Sequence, residues 1–226
     1  MPNIKLVVFD IAGTIIEDRG EVLTAFASAL RKNGIGFAED ELQEWKGASK
    51  REVIRHFVER ETDRKPLASH TIEQTYALFR AELENLYREG IHPVPGCAST
   101  FAWCRERGIQ LATTTGFYSE IRNLILDLTG WGTLFAANIS SSDVKRGRPA
   151  PFMIFRAMES TGTEDVRQVI NVGDTPLDLQ AGSNAGVRGV VGVLTGSHGE
   201  DRLRREPHTH LLPSIAELPA LIDQVF

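Results

Sequence analysis

Four short segments carry side chains suited to a charged, oxygen-rich group. Asp10 ends the apolar run Lys5-Leu6-Val7-Val8-Phe9 and precedes Ile11-Ala12-Gly13-Thr14. A carboxylate exposed there is a candidate nucleophile or hard-metal ligand. Ala112-Thr113-Thr114-Thr115-Gly116-Phe117 offers hydroxyls and free backbone N–H groups at a helix start, which suit a phosphate. Lys145-Arg146-Gly147-Arg148-Pro149-Ala150-Pro151 sets Arg148 just ahead of two prolines that fix the approach to a helix. A guanidinium held there clamps phosphoryl oxygens. Asn171-Val172-Gly173-Asp174-Thr175-Pro176-Leu177-Asp178 spaces two acids four apart, so both fall at one helix N-terminus. Beside Asp10 they would bind a hard cation such as Mg²⁺.

Each segment also has a plainer use. Asp10 and Asp174 serve as turn or cap residues, a threonine run caps a helix, and a basic loop is simply solvated. The order acid, hydroxyl, cation, acid pair along the chain is harder to explain by capping. It points to phosphoryl chemistry.

Positioning these groups takes a sheet. The first run is rich in β-branched residues and reads as a buried parallel strand. Similar runs follow at Ile109–Thr113, Leu134–Asn138, Val169–Val172 and Gly189–Leu194. Helical periodicity fills the gaps at Gly96–Arg107, Tyr118–Asp127, Pro151–Ser160 and Leu177–Ala185. This alternation predicts an α/β fold, a Rossmann-like, doubly wound parallel sheet with helices on both faces. Ligands then bind beyond the carboxyl ends of the strands, where all four segments fall.

Residues 18–91 interrupt the alternation. Val22–Lys32, Glu39–Trp45, Arg51–Glu61 and Ile72–Tyr87 all read as helices. The predicted organisation is therefore a core of residues 1–17 and 92–226 with an inserted α-helical cap domain at 18–91. Glu17-Asp18-Arg19-Gly20 and His92-Pro93-Val94-Pro95-Gly96 are its expected hinges.

The composition agrees. The chain has 226 residues, room for one large domain or a domain with an insertion. A net charge of −5 argues against a nucleic-acid partner, and the two cysteines, Cys97 and Cys104, exclude a disulfide framework. No signal-like start or long apolar run appears, so the expectation is a cytoplasmic protein with no membrane partner.

Taken together, these motifs resemble those of the haloacid dehalogenase superfamily of aspartate-nucleophile phosphotransferases. The resemblance implies Asp10 as nucleophile and an aspartyl-phosphate intermediate. It implies Mg²⁺ held by Asp10, the Ala12 carbonyl and Asp174, with Asp178 as a ligand or just behind. It implies Thr113 or Thr114 and Arg148 as stabilisers of the transferring phosphoryl group.

Position 12 departs from most phosphatases of the superfamily, which carry an aspartic acid there to protonate the leaving oxygen. Alanine at that place is similar to the phosphonatase branch, the phosphonoacetaldehyde hydrolases. Asp-Ile-Ala-Gly-Thr, Thr-Thr-Gly-Phe and Gly-Arg-Pro-Ala-Pro-Phe-Met-Ile-Phe are similar to that branch's motifs. The branch forms a Schiff base on a cap lysine, and Gly47-Ala48-Ser49-Lys50 falls at the corresponding loop. The resemblance thus implies Lys50 as Schiff-base former, with Gly47 and Gly116 at the substrate. An imine supplies the electron sink that a carbon leaving group needs. Burial, or a neighbouring cation such as Arg51, would favour the neutral amine. Two positions depart from the branch: Val53 stands where a histidine is usual, and Lys46 where a methionine is usual.

The expectation is a Mg²⁺-dependent hydrolase of a small phosphonate or phosphorylated substrate. Cleavage of the C–P bond of phosphonoacetaldehyde or a close relative leads. A phosphomonoester phosphatase or phosphosugar mutase, and a non-catalytic phosphate-ligand binder, are the alternatives. A homodimer through the cap is common in the resembled branch. Elsewhere, His208 and His210 read as loop residues and Arg202-Leu203-Arg204-Arg205-Glu206 as a solvated helix. Cys97 and Cys104 read as core, and Phe152, Met153 and Phe155 as helix-to-sheet packing.

Overall fold

The computed structural model describes residues 4–45, 47–61 and 65–226, and for residues 65–67 the backbone alone. In chain order its elements are β1 (Leu6–Phe9), α1 (Glu21–Lys32), α2 (Glu39–Glu44), α3 (Lys50–Glu61), α4 (Lys65–Glu89) and α5 (Cys97–Glu106). There follow β2 (Gln110–Thr115), α6 (Ser119–Leu128), β3 (Ala137–Ser140), α7 (Phe152–Thr161), β4 (Val169–Gly173) and α8 (Pro176–Ala185). The chain ends with β5 (Gly189–Val193), α9 (Glu200–Leu203), β6 (His210–Leu212) and α10 (Leu218–Val225).

The sheet is parallel throughout, in the order β3-β2-β1-β4-β5-β6. Successive side chains of β1 alternate between two cores. Val7 and Phe9 join Phe101, Ile121, Leu218 and Ile222 of α5, α6 and α10. Leu6 and Val8 join Met153, Ala157 and Leu179 of α7 and α8. That alternation makes the fold a three-layer sandwich. The chain runs from β1 outward to β2 and β3, then returns to β4 on the other side of β1. The crevice where the direction reverses lies beside β1, at the end where Asp10 stands.

Four helices, α1 to α4, lie between β1 and α5. Their core is continuous with that of the sheet: Phe26 of α1 stacks on Phe79 of α4 at 4.3 Å, and Tyr87 meets Phe117 edge-on at 5.9 Å. The two connecting segments run side by side. Glu17 N donates to His92 O at 2.8 Å and Val94 N to Ile15 O at 3.0 Å.

Several local expectations change. β3 begins at Ala137, because Trp131–Leu134 forms a turn after α6 and Phe135 packs on Phe101. His210 opens a sixth strand that the loop reading did not foresee; three residues are too few for an alternation signal. Leu203 is fully buried in α9, so that helix is solvated on one side only. Met153 packs on the sheet as expected, but Phe152 and Phe155 are 43% and 40% exposed. Both cysteines are buried core residues, and Cys97 Sγ lies 3.2 Å from Ile15 O. Among the described residues no helix is long and apolar enough to cross a membrane.

Candidate active site

Asp10, Asp174 and Asp178 converge at the carboxyl ends of β1 and β4. Their carboxylate oxygens lie within 4.8 Å of one another, and all three side chains are buried. Thr175 caps α8 and receives Asp178 N, while Asp178 Oδ2 accepts from Thr175 N at 3.1 Å and Thr175 Oγ1 at 2.5 Å. This reciprocal capping box turns the Asp178 carboxylate back toward β4. Thr14 Oγ1 and Ser197 N each donate to Asp174 at 3.3 Å.

Arg148 crosses beneath this cluster and is itself 5% exposed. Its guanidinium lies 2.7 Å from Asp10 Oδ1 and 2.8 Å from Asp178 Oδ1, and donates to both Thr114 O and Thr114 Oγ1. Asn184 Nδ2 ties the following loop down at Pro149 O, 2.8 Å away. Burial opposes the charge on Arg148, but Asp178 and Asp10 outweigh it, and its pKa rises.

Three carboxylates face one guanidinium, which leaves an excess of buried negative charge. Burial is the main reason the Asp10 pKa rises to about 6, with Arg148 opposing and Asp178 adding. Burial and then the Asp10 charge push Asp174 well above the ordinary carboxylate range. Asp178 Oδ1 is buried and accepts no hydrogen bond, although it pairs in charge with Arg148. Backbone crowds Asp174: a Cβ on Gly13 or on Gly196 would stand 2.4 Å or 1.8 Å from its Oδ2. An all-oxygen cradle with surplus charge and an unsatisfied carboxylate oxygen fits a hard divalent cation.

The threonine run divides by face. Thr114 shares the face of Ala112, toward α7, where Arg148 arrives. Thr113 shares the face of Leu111, and its hydroxyl donates to Asn138 Oδ1 on β3 at 2.8 Å. The expectation for Thr113 is corrected accordingly: strand alternation aims it away from the carboxylates. Thr115, at the end of the strand, lines the cavity instead.

That cavity measures about 30 Å³ and lies between the sheet edge and the helical block. Asp10, Ala12 and Asp174 form its floor, and Gly47, Lys50, Gly116 and Phe117 are among its other walls. Lys50 opens α3 and is only 5% exposed. Its N–H donates to Gly116 O at 3.4 Å, and its Nζ sits 5.2 Å from the Phe117 ring centre. The lysine is thus buried in the same small space as Asp10. Arg51, one residue on, faces away and pairs with Glu73 and the Tyr76 ring, so it does not crowd Lys50. Val53 is fully buried in apolar contacts, while Lys46 lies outside the described residues.

Gly47 and Gly116 have a second role besides lining the cavity. Gly47 takes φ 85°, and a Cβ there would stand 2.5 Å from Thr175 Oγ1. Asp18, Val22, Thr175 and Ser197 also reach the cavity and were not singled out from the sequence. Ser197 follows β5, so the rule that sites lie after strands could have found it.

The profile of the haloacid dehalogenase-like hydrolase family matches residues 7–192. The chain belongs to the haloacid dehalogenase-like hydrolases. Within that family it lies on the phosphonatase-like side. It is 30% identical to a phosphonoacetaldehyde hydrolase of Hahella chejuensis, covering 98% of this chain and 86% of that one. It is 27% identical to a phosphonoacetaldehyde hydrolase of Parabacteroides distasonis, covering 100% and 98%. A phosphonoacetaldehyde hydrolase-like protein from Oleispira antarctica superposes with a TM-score of 0.85 at 23% identity, covering 100% of this chain and 93% of that one. This last likeness concerns the fold.

Proposed function

We propose that this hydrolase cleaves the C–P bond of phosphonoacetaldehyde or a close relative, giving acetaldehyde and phosphate. The observation that carries the reading is the burial of Lys50 in the same 30 Å³ cavity as Asp10. An amine and a carboxylate so placed can condense with the aldehyde and attack the phosphorus of one small molecule, with Arg148 beside Asp10 to balance the phosphonate charge.

Lys50 forms an imine with the aldehyde. Asp10 attacks phosphorus, and the C–P electron pair passes into the iminium to give an enamine. Water then hydrolyses the aspartyl-phosphate to release phosphate. Protonation and hydrolysis of the enamine release acetaldehyde and Lys50. Arg148 orients the Asp10 carboxylate and balances charge on the phosphoryl oxygens. Asp10, the Ala12 carbonyl, Asp174 and Asp178 would hold Mg²⁺, which when bound neutralises phosphoryl charge. Because the departing atom is carbon carried by an imine, no acid is required at position 12. Residues 18–91 act as a lid, since Val22, Gly47 and Lys50 of that block supply walls of the cavity whose floor is Asp10.

The test is turnover of phosphonoacetaldehyde with Mg²⁺, followed as acetaldehyde through an alcohol dehydrogenase couple. Wild type is expected to turn over, and Lys50→Arg to lose the activity. Hydrolysis of sugar or aryl phosphates that survives Lys50→Ala would instead assign a phosphomonoesterase or mutase. Mg²⁺-dependent phosphate binding with no turnover of any of these would assign a binder.

A further inference from the structure

Four titratable side chains among the described residues line the cavity: Asp10, Asp174, Lys50 and Asp18. The chemistry above uses the first three. We infer that Asp18 is the acid–base catalyst of imine formation and hydrolysis at Lys50. The inference rests on the Lys50 reading.

Three observations carry it. Asp18 and Lys50 both line the small cavity that has Asp10 in its floor, so a group bound there lies between them. Asp18 and Lys50 therefore address the same few atoms. Asp18 is also held in place: its Oδ1 accepts from Gly20 N at 2.9 Å, at the segment that joins β1 to α1. Among the described residues α3 brings no other proton carrier to the cavity: Val53 is apolar and His56 turns toward Trp45 and Glu41.

The protons balance. The Lys50 ammonium passes one proton to the Asp18 carboxylate. The freed lone pair adds to the aldehyde carbon, and the C=O pair moves onto oxygen. One of the two remaining nitrogen protons shifts to that oxygen, giving a neutral carbinolamine. The Asp18 carboxylic acid then protonates the hydroxyl, which leaves as water while the nitrogen pair forms C=N. The iminium bears the single positive charge that the ammonium brought, and Asp18 is a carboxylate again. After C–P cleavage and protonation of the enamine carbon, the reverse sequence releases acetaldehyde.

The experiment mixes purified protein, Mg²⁺ and phosphonoacetaldehyde, quenches with borohydride at increasing times, and maps the adduct by mass. Wild type and Asp18→Glu are expected to accumulate the Lys50 adduct at comparable rates. Asp18→Asn should form it at least about 10²-fold more slowly, the lower end of general acid–base help. Asparagine keeps an acceptor for Gly20 N, and a thermal melt checks that the variant folds. In Asp18→Ala, added formate should restore part of the rate, an effect that a structural role would not produce. Undiminished trapping by Asp18→Asn overturns the assignment of Asp18 alone. Absence of any adduct on wild-type Lys50 overturns the imine reading, and Asp18's role with it.

Discussion

The carbonyl oxygen of Gly47 lies 2.7 Å from the point where a Cβ on Gly116 would stand, and that of Ala48 only 2.4 Å. Backbone of the helical block thus rests directly on backbone of β2's exit, with no side chain between. Neither carbonyl is the flexible end of a side chain, so the contact cannot yield cheaply. Lys50 begins the helix two residues after Ala48. The glycine at 116 therefore sets how deep the lysine reaches.

Gly116→Ala tests that relationship. The methyl group would hold the helical block away from the sheet and withdraw Lys50 from Asp10. The expected result is a loss of turnover of at least ten-fold with a destabilisation of about 1–3 kcal/mol, typical of overpacking. Steady-state kinetics beside a thermal melt would check it. Full activity in the alanine variant would show that the seam does not govern the site.

The two neighbouring threonines should separate cleanly. Thr114→Val removes an acceptor from the buried Arg148 guanidinium. Bonds to charged groups are worth about 1.5–3 kcal/mol, so turnover should fall roughly 10- to 100-fold. Thr113→Val deprives Asn138 Oδ1 of its donor. It should cost about 1 kcal/mol of stability and leave the kinetic constants near wild type. Equal kinetic defects in the two variants would contradict the face assignment.

How far the sequence revealed this arrangement depended on the kind of signal. Apolar runs followed by Asp10, the threonines or Asp174 marked strand ends, because a buried parallel strand must be continuously apolar while its exit carries the polar groups. Arg148 was legible from the prolines behind it. Asp18 was not, since a carboxylate in a connecting segment looks like any solvated linker until the chain folds it over a cavity. Thr113 and Thr114 were indistinguishable because one residue of register exchanges the two faces. β6 escaped notice because its pairing with β5, not its own pattern, makes it a strand.

The buried thiols should be inert. Burial pushes Cys97 and Cys104 up to about 12, so almost no thiolate exists at pH 8. A disulfide reagent such as Ellman's should titrate no thiol in the native protein within minutes and two after denaturation. Rapid native reactivity would place a cysteine outside the core.

Acid–base linkage gives the metal-free protein an unusual pH response. The folded state raises Asp10 from 3.8 to about 6, mainly by burial. Such a group binds its proton more tightly when folded than when unfolded. Its contribution to stability is therefore complete below about pH 3.8 and is lost as pH climbs through 6. At 1.36 kcal/mol per unit this approaches about 3 kcal/mol. Surface carboxylates held low by arginine partners, such as Glu41 and Asp165, act in the opposite sense. They do so only below about their ordinary values of 4.5 and 3.8, so above pH 4.5 the Asp10 response stands clear of them. A cation that binds the ionised cluster competes with those protons. Mg²⁺ should consequently raise the melting temperature little at pH 4.5 and most above pH 6.5. Calorimetry across that range, with and without Mg²⁺, would check it. A Mg²⁺ increment that does not grow with pH would mean that the cation binds somewhere other than Asp10, Asp174 and Asp178.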